Sequence, residues 1–265
     1  MSGLTYPNIS PVLFSIGNFD LRWYSLAYLV GIVFAWVFMY RDIKKYALPI
    51  NRKNLDDMMF NITLGIILGG RIFYVLFYNF DMFLKNPLEI FAIWHGGMSF
   101  HGGLFGVIVA IFYSARKMKY PFLGLTDMAA AYTPVGLFLG RLANFINDEL
   151  WGRVSDVSWA VKFPSGGYLP RHPSQLYEAA LEGALLFVLL QILWHNAWVR
   201  SKKGFVSGVF LLCYGVFRII IEFFREPDAQ LGFIYQHITM GQILSAPILA
   251  LGVFLMWYAL RRKAD

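Results

Sequence analysis

The chain has 265 residues, of which 58% are hydrophobic, 18% aromatic and only 15% charged, well beyond the roughly 45–50% apolar content of an ordinary soluble domain. Its formal net charge of +7 is spread through short loops between apolar runs and builds no basic face, which speaks against a nucleic-acid partner. Cys213 is the only cysteine, so an intrachain disulfide and a cysteine metal site are both excluded.

Residues 1–20 contain no Lys or Arg ahead of the first apolar run. A secretory leader needs that positive stretch, so the run beginning at Leu21 is expected to stay as a membrane span. A span takes about 20 mostly apolar residues. Seven runs qualify as candidates in chain order: Leu21–Tyr40, Asp57–Tyr78, Phe100–Ala115, Leu125–Ile146, Ser174–Trp194, Val206–Phe224 and Thr239–Leu260. The third is short, and the fourth contains Pro134. The expected fold is therefore an all-α polytopic membrane domain covering residues 1–265. The longest polar connection, residues 147–173, is expected to form a small extramembrane head between helices four and five. Within it, the alternating stretch Val157–Phe163 suits a strand and Gly166-Gly167 a turn.

Cytoplasmic loops carry the excess of Lys and Arg. One set of loops holds 14 such residues, in the groups Arg41–Lys53, Arg116–Lys119, Arg200–Lys203 and Arg261–Lys263; the other holds five, namely Lys85, Arg153, Lys162, Arg171 and Arg225. The asymmetry predicts an N-terminus outside and a C-terminus in the cytoplasm. Glycines recur at four-residue spacing (Gly65 and Gly69, Gly102 and Gly106, Gly136 and Gly140), a pattern that lets membrane helices pack closely.

Four arginines, Arg22, Arg71, Arg141 and Arg218, remain in or at the spans, where each costs about 2.5–3.5 kcal/mol at the bilayer centre on insertion scales. With the predicted orientation they share one depth, near the outer surface, with Tyr24, His101, Asn144, His172 and Glu222. One reading is a polar cavity open to that side. The other is that each arginine snorkels or pairs locally, which suits Arg22 and also Arg218, since Glu222 follows four residues later. Arg141 has no carboxylate at i+4, so it favours the cavity. Arginine grips phosphate through a planar donor fork, and histidine accepts a proton near neutral pH. Those groups fit phosphate chemistry with a deprotonated nucleophile; they equally fit a transporter or flippase for an anionic lipid. An intramembrane hydrolase is a third class, but no Gly-x-Ser-x-Gly elbow is present.

The stretch Gly140-Arg141-Leu142-Ala143-Asn144-Phe145-Ile146-Asn147-Asp148-Glu149-Leu150-Trp151-Gly152 resembles the signature of the prolipoprotein diacylglyceryl transferase family at every fixed position. Trp23-Tyr24, Gly69-Gly70-Arg71, Gly96-Gly97-Met98-Ser99-Phe100-His101-Gly102-Gly103, Arg171-His172-Pro173-Ser174-Gln175-Leu176-Tyr177-Glu178 and Phe217-Arg218 through Arg225 resemble the same family, in order, over nearly the whole chain. Asp148 stands where the family has small residues, and Arg22 where a His is frequent.

The resemblance implies transfer of the diacylglyceryl group of phosphatidylglycerol to the lipobox cysteine thiol of a prolipoprotein. A thioether forms and glycerol phosphate leaves, on the periplasmic side of the bacterial inner membrane, with no metal or organic cofactor. It implies His101 as the base for the thiol or as a residue that only orients substrate. It implies Arg141 and Arg218 as phosphate ligands, with Asn144 and Tyr24 positioning the headgroup. Glu149 and Glu222 are expected to hold the arginines, and Gly102, Gly103, His172 and Tyr214 to complete the phosphatidylglycerol site. Cys213 is expected to be inert packing. His95, His195 and His237 stand near span ends, where interfacial solvation accounts for them.

Overall fold

The computed structural model describes residues 3–17, 19–92, 96–227, 233–235 and 238–262. The long helices form where the apolar runs predict them. They are α1 (Trp23–Lys45), α2 (Arg52–Tyr78), α4 (Phe100–Met118), α5 (Phe122–Ile146), α6 (Ser174–His195), α8 (Phe205–Glu222) and α9 (Met240–Arg261). Short helices α3 (Phe80–Lys85) and α7 (Ala197–Ser201) lie between them. Among the described residues, six helices (α1, α2, α5, α6, α8 and α9) are long and apolar enough to cross a membrane. Large apolar side chains stand exposed along these helices, Phe77 at 70% and Ile192 at 66% among them, as a hydrocarbon-facing surface requires. The chain is thus a mainly helical, multi-pass membrane protein.

Residue contacts divide the chain into two compact units, residues 1–35 with 127–265, and residues 36–126. In the smaller unit α2 and α4 pack through the predicted glycines. A Cβ placed on Gly65, Gly69, Gly102 or Gly106 would collide with the carbonyl of the facing glycine, so the two backbones touch directly. Lys117 pairs with Asp57 at 2.7 Å, and the Trp36 indole N–H donates to Asp56 at 2.8 Å. Arg71 is buried, and its guanidinium donates to the carbonyls of Glu89, Ile90, Ala92, Gly96 and Gly97. Its charge holds together the segment that follows α3.

In the larger unit the third glycine pair behaves differently. Gly136 is approached by Gly31, whose added Cβ would stand 3.0 Å from the Gly136 Cα, whereas a Cβ on Gly140 meets nothing within 4 Å. Buried Asp127 on α5 accepts from the Gly204 N–H at 2.7 Å, the Ser207 N–H at 2.8 Å and the Ser207 hydroxyl at 2.7 Å. It therefore caps α8 from a neighbouring helix, doing what an N-cap side chain does within one chain segment. Thr239 and Gln242 form a reciprocal capping box at the start of α9.

Short strands lie outside the helices. A three-stranded sheet joins β1 (Leu4–Thr5) parallel to β4 (Val161–Lys162), with β5 (Pro170–Arg171) antiparallel on the far side of β4. Strands β2 (Val12–Ile16) and β3 (Phe19–Arg22) form a hairpin leading straight into α1, and β6 (Phe233–Tyr235) pairs with β7 (Ile238–Thr239). The strand predicted over Val157–Phe163 is shorter than expected: only Val161 and Lys162 pair, because Ala160 N–H turns back to the Val157 carbonyl at 3.0 Å. The predicted Gly166-Gly167 turn is present, with Gly167 at φ 78°. Tyr6, Val161 and Phe163 form a small core with Phe145 and Trp151 packed against it. The Tyr6 hydroxyl reaches the carbonyls of Phe145 at 3.0 Å and Ile146 at 2.7 Å, which fixes the 147–173 segment on the end of α5.

Candidate active site

Three helices of the larger unit bring two arginines and three glutamates into one buried cluster. On α8, Tyr214, Arg218 and Glu222 recur every four residues and share a face. On α5, Arg141 and Asn144 are three apart. On α6, residues Ala179–Leu185 are wound as a π-helix, a local geometry that recurs at functional sites. Glu178 and Glu182 flank and enter that turn, with side chains fully buried.

Glu178 bridges the two cations: one carboxylate oxygen lies 3.0 Å from Arg141 Nε and the other 2.7 Å from Arg218 Nη1. Glu182 Oε2 reaches Arg141 Nη2 at 3.4 Å, and Glu222 Oε2 reaches Arg218 Nη2 at 3.1 Å. The i, i+4 pair expected for Arg218 is present. The absence of a carboxylate at i+4 left Arg141 apparently unpaired in the sequence; its partners come from α6 instead. These carboxylates leave several guanidinium N–H groups uncommitted, since each arginine carries five. The cluster holds both forks rigidly while keeping donors available for an oxyanion.

Around it lie the other expected residues of this unit. Asn144 is buried; its amide donates to Glu149 Oε1 at 2.7 Å, and its carbonyl oxygen stands 3.5 Å from Arg141 Nη1. Glu149 was expected to hold an arginine. It instead accepts from the side chains of Asn144 and Asn147, so it orients the amide that faces Arg141. Tyr24 is half-buried with its ring 5.4 Å from that of Tyr28. Tyr214 is half-buried and stacks on Phe210 at 6.0 Å. The His172 Nδ1 lies 3.0 Å from the Tyr177 hydroxyl, which also accepts from the Trp159 indole at 2.6 Å. Burial pushes the His172 imidazole below its ordinary pKa. These rings line an apolar cavity of about 430 Å³ with Leu181, Ile221 and Phe224.

The signature stretch is fixed as a loop joining α5 to α6. Gln175 donates to the Glu149 carbonyl at 2.6 Å, and the Ser174 hydroxyl to that of Leu150 at 2.9 Å. Asp148 has φ 55°, which explains why a small residue suits that position. Its carboxylate turns away from the cluster to the Ser165 N–H at 2.7 Å. A Cβ on Gly152 would stand 2.5 Å from the Phe224 carbonyl oxygen and 2.6 Å from that of His172, so no larger residue fits.

The remaining expected residues lie elsewhere. His101 is exposed in the first turn of α4, behind the N-cap Ser99, in the smaller unit. Beside it, Gly102 is occupied by the packing of α4 on α2, and Gly103 stands 3.6 Å (added Cβ) from the Ile66 carbonyl oxygen. Arg22 is exposed at the end of β3, consistent with a solvated charge. Cys213 is partly buried in α8. His195 closes α6, its Nδ1 2.9 Å from the Gln191 carbonyl; His95 and His237 lie outside the described residues.

A model of the prolipoprotein diacylglyceryl transferase family matches residues 11–258. The chain belongs to this family. Curated relatives span almost its whole length. One from Vibrio cholerae is 52% identical over 262 residues, covering 98% of this chain and 94% of its own. One from Mannheimia succiniciproducens is 52% identical over 268 residues, with 98% and 97% covered, and one from Pasteurella multocida is 52% identical over 258 residues, with 96% and 94% covered. Each is named phosphatidylglycerol–prolipoprotein diacylglyceryl transferase. Within the family signature the two residues that reach the cluster are Arg141 and Asn144. Glu182 went unnoticed in the sequence. The signal for it was two carboxylates, Glu178 and Glu182, one turn apart inside an apolar span, where unpaired charge is expensive.

Proposed function

We propose that the chain transfers the diacylglyceryl group of phosphatidylglycerol to the lipobox cysteine thiol of prolipoproteins, forming a thioether and releasing glycerol phosphate. The observation that carries this reading is the Arg141–Glu178–Arg218 bridge, a buried pair of guanidinium forks, one of them within the family signature. In this reading both guanidinium groups hold the phosphodiester and stabilise charge on its departing oxygen. Donors preorganised in this way are typically worth about 10²–10³ in rate each. Asn144 and Tyr24 orient the headgroup, while Glu149 and Glu222 hold Asn144 and Arg218 in place. Gly103, His172 and Tyr214 contribute to lipid binding, whereas Gly102 is taken up by the packing of α4 on α2. His101 takes the thiol proton, because the thiolate is the nucleophile and a free thiol has a pKa of about 8.5. No metal or organic cofactor is needed.

We assign seven spans, α4 being the seventh, with the N-terminus and the 147–173 head on the periplasmic side of the inner membrane; the Lys and Arg asymmetry of the loops supports this. The test is mass spectrometry of a lipobox peptide incubated with the purified protein and phosphatidylglycerol. The peptide should gain one diacylglyceryl group, and a peptide carrying serine for cysteine should gain none. An unmodified cysteine peptide in the presence of folded protein would overturn the assignment.

A further inference from the structure

Three carboxyl groups meet two guanidinium groups in the buried cluster. Fully ionised, the set would carry one net negative charge, and a phosphodiester bound there would add another. Concentrating that charge away from water is strongly unfavourable, and the ordinary resolution is for one carboxyl to hold a proton. The contacts discriminate between the three. Glu178 touches a guanidinium with each oxygen, at 3.0 and 2.7 Å. Glu222 pairs with Arg218 at 3.1 Å and rests on Gly241 at the start of α9, where the helix amides favour an anion. Glu182 has the longest ion pair, 3.4 Å through Oε2. Its Oε1 is fully buried with neither a hydrogen bond nor an ion pair among the described residues.

We propose that Glu182 is held as the neutral acid and acts as the proton donor to the departing phosphate oxygen. This rests on the transferase reading for the second half of the claim; the protonation itself does not. The charged and titratable groups facing Glu182 are Arg141 on α5, Glu178 one turn earlier on α6, and Arg218 and Tyr214 on α8. In the reaction, the thiol loses its proton to the base and sulfur donates an electron pair to the glyceryl methylene carbon. The bond between that carbon and the phosphodiester oxygen breaks with its electron pair remaining on oxygen, and that oxygen, still bonded to phosphorus, takes the Glu182 proton. Glycerol phosphate leaves as the monoanion. Glu182 is reprotonated from water, and the base returns the thiol proton to solvent, so charge and protons balance.

Infrared spectroscopy of the purified protein without substrate provides the first test. The carbonyl stretch of a protonated carboxylic acid should be present in wild type and lost in Glu182→Gln, and it should keep its frequency in Glu178→Asp, which preserves the number of carboxyl groups in the cluster. Its persistence in Glu182→Gln would overturn the proposal. If that variant does not fold, Glu182→Asp replaces it: the band should shift, and an unshifted band would overturn the proposal. Kinetics test the donor role. Glu182→Gln should lower kcat about 10²–10⁴-fold, the range for a lost general acid, with KM for phosphatidylglycerol little changed. Wild type should lose kcat at alkaline pH as the acid ionises, and Glu182→Gln should remove that fall. Near-wild-type kcat with the same pH profile would refute the donor role. Absence of transfer by wild type would defeat the transferase reading alone, since the infrared band is measured independently of turnover.

Discussion

Glu222 lies flat against Gly241, where an added Cβ would stand 2.8 Å from its carboxyl carbon. A methyl group there has to push the carboxylate off its seat and away from Arg218. Gly241→Ala should therefore reduce kcat about tenfold or more while leaving the protein folded, and Glu222→Asp in the same chain, one methylene shorter, should restore part of the loss. Equal activity in the single and double variants would show that the seat does not position Arg218. At Gly152 the obstacles are two backbone carbonyls, which cannot move aside; Gly152→Ala should abolish activity together with a drop in thermal stability. Arg141, Arg218, Glu222 and Asn144 were legible as polar residues in apolar runs. The Arg218–Glu222 pair was legible as well, but Glu178 and Glu182 were not, because an i, i+4 search examines one helix at a time and these two carboxylates sit on another. Glu149 shows the same limit: sequence places it near Arg141, while the fold gives it to Asn144.

At the scale of elements, Asp127 shows how α8 obtains its start. The helix begins after Gly204 with no side-chain cap of its own, and three donors converge on the carboxylate of α5. Asp127→Ala strands those donors and should cost about 2 kcal/mol, read as a lower Tm in detergent; Asp127→Asn should lose less. An unchanged Tm for both would show that water replaces the cap. The 147–173 segment carries a pH dependence of its own. Its His172 is held below the ordinary imidazole range by burial, so the folded state binds a proton less readily than the unfolded chain. The stability from this is complete above about pH 6.5 and declines as pH falls through that value toward the lower folded one. The protection factors of the amides of residues 152–172 against hydrogen exchange should therefore fall as pH drops below about 6.5, and His172→Gln should remove that part of the change. Helix centres were predictable from hydropathy, but ends were not. α1 continues to Lys45 rather than Tyr40 and α2 starts at Arg52 rather than Asp57, because charged residues extend helices beyond the apolar part. The π-turn in α6 leaves no trace in periodicity at all.

For the whole molecule, the exposed apolar side chains and the loop charges point to a multi-pass protein with one basic side. With Cys213 replaced by serine, single cysteines report the orientation. A thiol reagent that cannot cross the membrane should label Trp159→Cys in intact cells and should label Lys119→Cys only after lysis. The reverse pattern would invert the topology. Much of the architecture could be read from the sequence because a membrane span is a long, local signal. The sheet that ties residues 147–173 to the N-terminus could not, since it depends on Leu4 and Thr5 pairing with a segment more than 150 residues away, and no local pattern announces such a contact.

The most direct measurement is a single-turnover assay of glycerol phosphate release from phosphatidylglycerol, run with cysteine and serine lipobox peptides on wild type, Arg141→Ala and Arg218→Ala. Release should require the peptide thiol and fall at least about 10²-fold in each arginine variant. Release that ignores the thiol would indicate a phospholipid hydrolase, and release undiminished in both arginine variants would show that the buried cluster does not handle the phosphate.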